Sequence, residues 1–383
     1  MKKLLTFLLI LSASILTVGC KGEDIKNYAQ TNEPLLQTTT TDAWTPTFQL
    51  CWNEFIKLVG TEKIEYVKEN PQLADELNKQ LFTTNDLNED SYYISVTKQT
   101  VKNKKAIEKA IKEKFDEKSD ILDSFDFDNI AEEKTNKWFI YSMLLKNFKF
   151  IKPYSILESQ FFNNDTTQKY KFFGYTNSKN DKSNQPLRES HTESLFYAND
   201  NDFAVKFLDK DRKEEMILYL TSSDKSFDEL YVELLDKNSK KDEYIQNRKN
   251  EMIENYNVKS EIKFKNLYKV PYMHIDEEIN YDNELAKKDI KSKDYDKTGN
   301  TWVIEKTLQT IKFDLDREGA KLKSEAAMSV VLKTSLEPTR DVIINNLYYF
   351  DRPFVIFLKE ANKDKPYFAA RVKDGKYLVP DNE

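Results

Sequence analysis

The chain has 383 residues, with 59 Lys and Arg against 65 Asp and Glu, two His, two Cys and a formal charge of −6. That length allows one large domain or two ordinary ones, and the acidic balance excludes the basic footprint of a nucleic-acid binder. Cys20 and Cys51 are too few for a disulfide framework, and His191 and His274, far apart in polar surroundings, exclude a zinc cluster of the usual kind.

Residues 1–19 read as a targeting segment. Lys2 and Lys3 precede an apolar run from Leu4 to Val18, too short for a membrane anchor. Leu16-Thr17-Val18-Gly19-Cys20 resembles a bacterial lipobox, with Thr17 where Leu is usual. The expectation is cleavage before Cys20 and acylation of its thiol, which ties the chain to a lipid bilayer at the extracellular face of the bacterial cell membrane. An ordinary secretory peptide is the alternative. Loss of Lys2 and Lys3 leaves a formal charge of −8. Residues 20–42, with four threonines at 38–41, read as a lipidated tether, and residues 43–383 as the folded domain.

Thr45-Pro46 opens a helix whose apolar face is Phe48, Leu50, Cys51, Phe55, Ile56, Leu58 and Val59. Residues 60–130 read as mostly helical, with helices over Pro71–Leu81 and Thr100–Phe115. Trp138–Leu145 is a continuous apolar run, expected as a strand in the middle of a covered sheet. Strands then follow at Tyr170–Tyr175, Ser194–Tyr197, Phe203–Phe207 and Met216–Tyr219. Ser226–Lys237 reads as a short helix and 238–256 as polar helix or loop. Glu261–Tyr268 and Tyr272–Ile275 are strand-like, Tyr281–Gly299 is irregular, and Trp302–Leu315 returns to strand.

The stretch 313–372 is the most informative. After Gly319, one alternate set is Ala320, Leu322, Ser324, Ala326, Met328 and Val330, and the other begins Lys321, Lys323, Glu325. That period of two is a half-buried strand, yet the same residues are good helix formers. Two apolar strands close the chain, joined by a polar hairpin at Glu360–Lys365.

No Gly-rich phosphate loop and no Gly-x-Ser-x-Gly elbow occurs, and no histidine lies near a nucleophile, so neither an enzyme nor a cofactor is expected. Cys51, on an aromatic helix face, reads as a packed thiol.

Three segments carry a resemblance to the serpin family. Phe350-Asp351-Arg352-Pro353-Phe354-Val355-Ile356-Phe357 is similar to the serpin C-terminal signature. Asp316-Arg317-Glu318-Gly319 with the Ala-rich sequence after it is similar to the serpin hinge. Met143 to Tyr154 resembles the family's strand ending in K-G-x-W-x-x-P-F. The resemblance implies an α+β fold, a large mixed sheet with smaller sheets and surrounding helices, and an exposed loop of the reactive-centre type.

It also implies a protease inhibitor whose partner is a target serine or cysteine protease. The protease cuts the loop, which then inserts as a new strand in the sheet. The implied hinge is Arg317, Glu318, Gly319 and Ala320, and the implied scissile bond is Lys333–Thr334, with Arg340 as rival. A register that takes Glu325-Ala326-Ala327 as the hinge motif moves the bond near Glu337. Several residues depart from the inhibitory pattern. Lys321, Leu322 and Lys323 stand where alanines are usual, Gln309 replaces a latch histidine, and Phe150 replaces a tryptophan at the sheet's opening. The alternative is a non-inhibitory serpin-fold binding or adhesion lipoprotein whose partner is another protein ligand.

Overall fold

The computed structural model describes residues 34–36, 41–175, 184–256, 262–321 and 342–382. Cys20, Lys333, Thr334 and Arg340 lie outside them. The compact unit runs from Pro34 to Glu383.

The first part of the chain holds β1 (Ala43–Trp44), α1 (Thr47–Val59), α2 (Gln72–Asn78), β2 (Tyr92–Lys98), α3 (Val101–Phe115), β3 (Trp138–Leu144) and β4 (Asn147–Lys149). Next come β5 (Ser155–Phe162), β6 (Asp165–Tyr175), α4 (Gln185–Glu189), β7 (Thr192–Asn199), β8 (Asp202–Leu208), β9 (Glu214–Leu220), α5 (Phe227–Ser239) and α6 (Lys241–Tyr256). The last part holds β10 (Ile262–Pro271), β11 (Met273–Ile279), α7 (Asp282–Leu285), β12 (Asp289–Lys291), α8 (Tyr295–Thr298) and β13 (Thr301–Val303). It ends with β14 (Gln309–Asp316), β15 (Gly319–Lys321), β16 (Val342–Tyr349), β17 (Phe354–Glu360) and β18 (Pro366–Val372).

A six-stranded antiparallel sheet, ordered β1-β18-β17-β9-β8-β7, forms the centre. Its inner strands are buried along nearly their whole length, which is why 354–358 reads as an unbroken apolar run. Phe357 is fully buried and meets Tyr231 and Phe227 of α5 at ring separations of 5.2 and 6.3 Å. Burying one such side chain stabilises the fold by roughly 1.5–3 kcal/mol. Helix α5 begins with a reciprocal capping box between Ser226 and Glu229.

A second sheet, β16-β10-β6-β5, contains a parallel pair, Ile262–Lys269 against Val342–Tyr349. A third, β11-β14-β15-β4, carries the segment read as a hinge, and β2-β3 and β12-β13 are two-stranded. The expected fold class, α+β with several sheets and peripheral helices, is what the chain adopts.

Three regions differ from the sequence reading. Tyr92–Lys98 is a strand inside the region read as mostly helical, because its alternating YYISVTK pairs with β3 from Tyr92↔Leu144 to Lys98↔Trp138. Strand β3 is not in the middle of a sheet: among the described residues it pairs with β2 alone. Its buried Phe139 and Tyr141 are covered by Ile107 and Ile111 of α3, so a helix rather than a second strand accounts for part of its apolar run. Finally, Trp302–Leu315 divides into β13 and β14, which belong to different sheets.

Leu35 and Leu36, within the stretch read as tether, are buried. The Asp228 carboxylate in the first turn of α5 accepts from both backbone N–H groups, at 2.6 and 2.9 Å.

Candidate functional site: the hinge and the open slot

Strand β14 ends in a tight turn. Asp316 Oδ1 accepts from Glu318 N at 2.7 Å and from Gly319 N at 3.2 Å, reversing the chain. Gly319 then adopts φ +154°, and a Cβ at this position would lie 2.1 Å from Phe148 O. Only glycine lets the returning chain approach β4 so closely.

The next segment clasps this turn. Tyr154 N donates to Arg317 O at 2.8 Å, Arg317 Nε donates to Tyr154 O at 2.8 Å, and Phe150 N donates to Glu318 O at 2.9 Å. Phe150 is buried among Phe148, Tyr154, Phe173 and Phe207 with ring separations of 4.8–5.9 Å, so an aromatic cluster lies beside this turn.

Residues Gly319–Lys321 form a strand between two others. Gly319, Ala320 and Lys321 pair with Asp316, Leu315 and Asp314 on one side, and with Lys149, Phe148 and Asn147 on the other. Ala320 is buried between Phe148 and Leu315. Beyond that third rung the two walls part. β3 faces β14 with no strand between them among the described residues, and a cavity of about 1060 Å³ occupies the gap. Ile140, Ser142, Thr307 and Gln309 are among its wall residues, with Phe48 and Cys51 of α1.

The slot is held from two directions. Gln309 Nε2 donates to Thr45 Oγ1, Thr47 Oγ1 and Thr45 O at 2.9, 2.8 and 3.2 Å, and its Oε1 accepts from Tyr281 OH at 2.8 Å. Ser142 Oγ, on the facing wall, donates to Thr47 O at 2.6 Å. Both walls are therefore fastened to the turn that starts α1. Gln309 is buried, and its amide alone ties β14 to Thr45, Thr47 and Tyr281. On the outer side Lys312 pairs with Asp120 at 3.3 Å, and Lys306 Nζ donates to Ser124 O at 2.6 Å, so the segment after α3 is strapped to β14.

The Cys51 thiol is turned toward β3 and contacts Ile140 O at 3.9 Å. Burial pushes its pKa up to about 11, which keeps it protonated and unreactive at neutral pH. His274, on the neighbouring strand, meets Asp314 at 2.6 Å, one strand away from Lys321.

The residues read from the sequence as a hinge, Arg317, Glu318, Gly319 and Ala320, thus lie together at the head of the slot. The sequence reading passed over Lys146, which is buried at the same place. The only signal was a lysine closing the apolar run 138–145, and its partners, Glu214 and Glu360, lie far away in the chain.

These features define the class: an α+β protein with a partly occupied strand position in one sheet. No family model matches the chain, and no curated protein matches it. Solved structures align over most of its length. Serpin48, a highly specific serpin of the insect Tenebrio molitor, is 12% identical, with 92% of this chain and 98% of that chain covered and a TM-score of 0.44. Tengpin, a thermophilic serpin in its native state, is 14% identical over 91% of each chain with a TM-score of 0.43. Mouse protein-Z dependent protease inhibitor is 13% identical, covering 91% and 93%, with a TM-score of 0.44. These are likenesses of fold.

Proposed function

We propose that the chain is a serpin-like protease inhibitor that works by loop cleavage and strand insertion, held at the outer face of a bacterial membrane by acylated Cys20. The observation that carries this reading is the pairing of Gly319–Lys321 on both sides at the head of a slot that, among the described residues, holds no further strand. A sheet that has accepted three residues and has room for more is poised for strand addition.

In this reading a serine or cysteine protease attacks the carbonyl of Lys333, forms an acyl-enzyme and releases the amino group of Thr334. Arg340 is the rival position. The cut segment then continues the ladder. In the observed register Ala326 would come between Ser142 and Gln309, and Met328 between Ile140 and Thr307. The small or apolar set from Ala320 to Val330 faces inward in that arrangement.

The test is a melting curve of residues 21–383 before and after a trace of trypsin, with a denaturing gel alongside. The expected outcome is a single cut between Gly319 and Pro353, a rise in melting temperature, and a band enlarged by the mass of the protease. A cut with a stability gain but no covalent band supports the metastable sheet while removing the inhibitor. A cut without stabilisation overturns insertion and leaves a serpin-fold binding protein.

A further inference from the structure

Strands β10 and β16 run parallel from Ile262 and Val342, and their pairing ends at Lys269 and Tyr349. On the other side of β10, Lys269 is opposite Gly174 of β6. Its neighbours in the sheet are thus an aromatic ring and a residue without a side chain.

Lys146 and Lys269 are the buried lysines among the described residues. Their surroundings differ. Lys146 is paired with two carboxylates, Glu214 at 2.8 Å and Glu360. For Lys269, the carboxylate that comes within 4 Å is Asp351, with Oδ2 at 3.8 Å. The other oxygen of Asp351 is held by Arg352 Nε at 2.9 Å, and Arg352 Nη1 donates to Asn201 Oδ1 at 2.6 Å. Lys269 Nζ donates to Gln160 Oε1 of β5 at 2.6 Å and lies 4.1 Å from the Tyr349 ring centre. An ammonium carries three N–H donors. Among the described residues Gln160 is the one acceptor at hydrogen-bond distance from this one, and 10% of the side-chain surface is open.

We infer that Lys269 is an imine-forming lysine open to small aliphatic aldehydes. The ammonium gives a proton to water, and Nζ attacks the aldehyde carbon to form a C–N bond. The aldehyde oxygen leaves as water, and the product is the protonated imine. Ammonium and aldehyde become iminium and water, with the charge conserved. The iminium keeps a single N–H, which Gln160 Oε1 accepts. Its cation stays over the Tyr349 ring and beside Asp351. The site therefore satisfies the product more completely than the ammonium it replaces, and its narrow opening excludes bulky carbonyl compounds.

The amine is also easier to deprotonate than an exposed lysine. Burial is the main cause that lowers its pKa; Asp351 opposes it and Arg352 adds to it. Asp351, Arg352 and Tyr349 are the charged or titratable groups facing it among the described residues, while β5 and β6 present the neutral Gln160 and Gly174.

The test treats the full chain with formaldehyde and cyanoborohydride, whose hydride reduces the iminium to a stable methylamine, and maps the labelled lysines by mass. At neutral pH Lys269 is expected to be labelled at least about threefold faster than Lys57, whose side chain is 69% exposed. That lead is expected to shrink as the pH rises toward the ordinary lysine range, where Lys57 becomes neutral too. Arg352→Gln frees Asp351 to pair with Lys269 and is expected to abolish the lead. Lys269 lagging behind Lys57 at neutral pH overturns the proposal, because burial then merely shields the amine. A lead that does not change with pH, or that survives in folded Arg352→Gln, overturns it as well, since reagent access alone would explain it. Should Arg352→Gln not fold, the pH series on the wild-type chain decides by itself.

Discussion

At the scale of single residues, Gly319 is the most constrained position of the turn between β14 and β15. Its φ of +154° and the 2.1 Å approach of a virtual Cβ to Phe148 O leave no room for alanine. Gly319→Ala is expected to break the pairing of β15 with β4 and to cost on the order of 1–3 kcal/mol. The check is a lowered melting temperature together with lost amide protection at 147–149, and unchanged protection there would refute it. This residue was singled out in the sequence through the likeness of Asp316-Arg317-Glu318-Gly319 to the serpin hinge, while the tight turn it makes was not read. Lys146 was not legible, since a lysine after an apolar run reads as a strand end. Only the fold brings Glu214 and Glu360 to it. Gln309 was read only as a departure from the serpin pattern, because its partners lie more than 25 positions away in the chain. The amide, with one donor and one acceptor end, reaches Thr45, Thr47 and Tyr281 at once.

At the scale of elements, strands buried on both faces were the easiest to read. Phe354–Glu360 and Pro366–Val372 needed only their apolar runs and the polar hairpin between them. β2 was hidden because its seven residues are all half-buried and lie among charged helical segments. The segment 34–36 was hidden for another reason: its partner, Asp228, is a helix N-terminal residue about 190 positions away. Two backbone N–H groups on one carboxylate form a strong, charge-assisted attachment. Asp228→Ala is expected to release Leu35 and Leu36, costing about 1–3 kcal/mol. Hydrogen exchange at 35–36 should rise while β17 and β18 keep their protection. Unchanged exchange at 35–36 would show that burial of the two leucines suffices without the carboxylate.

At the scale of the whole molecule, the slot could not be read from the sequence, because it is a gap in the pairing between β3 and β14 among the described residues. An apolar strand looks the same whether its second edge meets a neighbour or a cavity. The single thiol of residues 21–383 reports on that space. With its pKa raised to about 11, Cys51 is thiolate in about one molecule in a thousand at pH 8, so labelling by a water-soluble thiol reagent should be slow in the uncut protein. Filling the slot after the loop is cut should slow it further, and an unchanged rate would show that the cavity beside Cys51 stays open. The attachment at Asp228 has a mechanical consequence. Tension arriving from the N-terminal side of the chain meets the 35–36 staple before it reaches β1, which is held to β18 by two residue pairs, Ala43↔Ala370 and Trp44↔Ala369. The staple passes part of such a load to α5, and through Phe227 and Tyr231 to β17 in the middle of the sheet, instead of leaving it all to the edge pair.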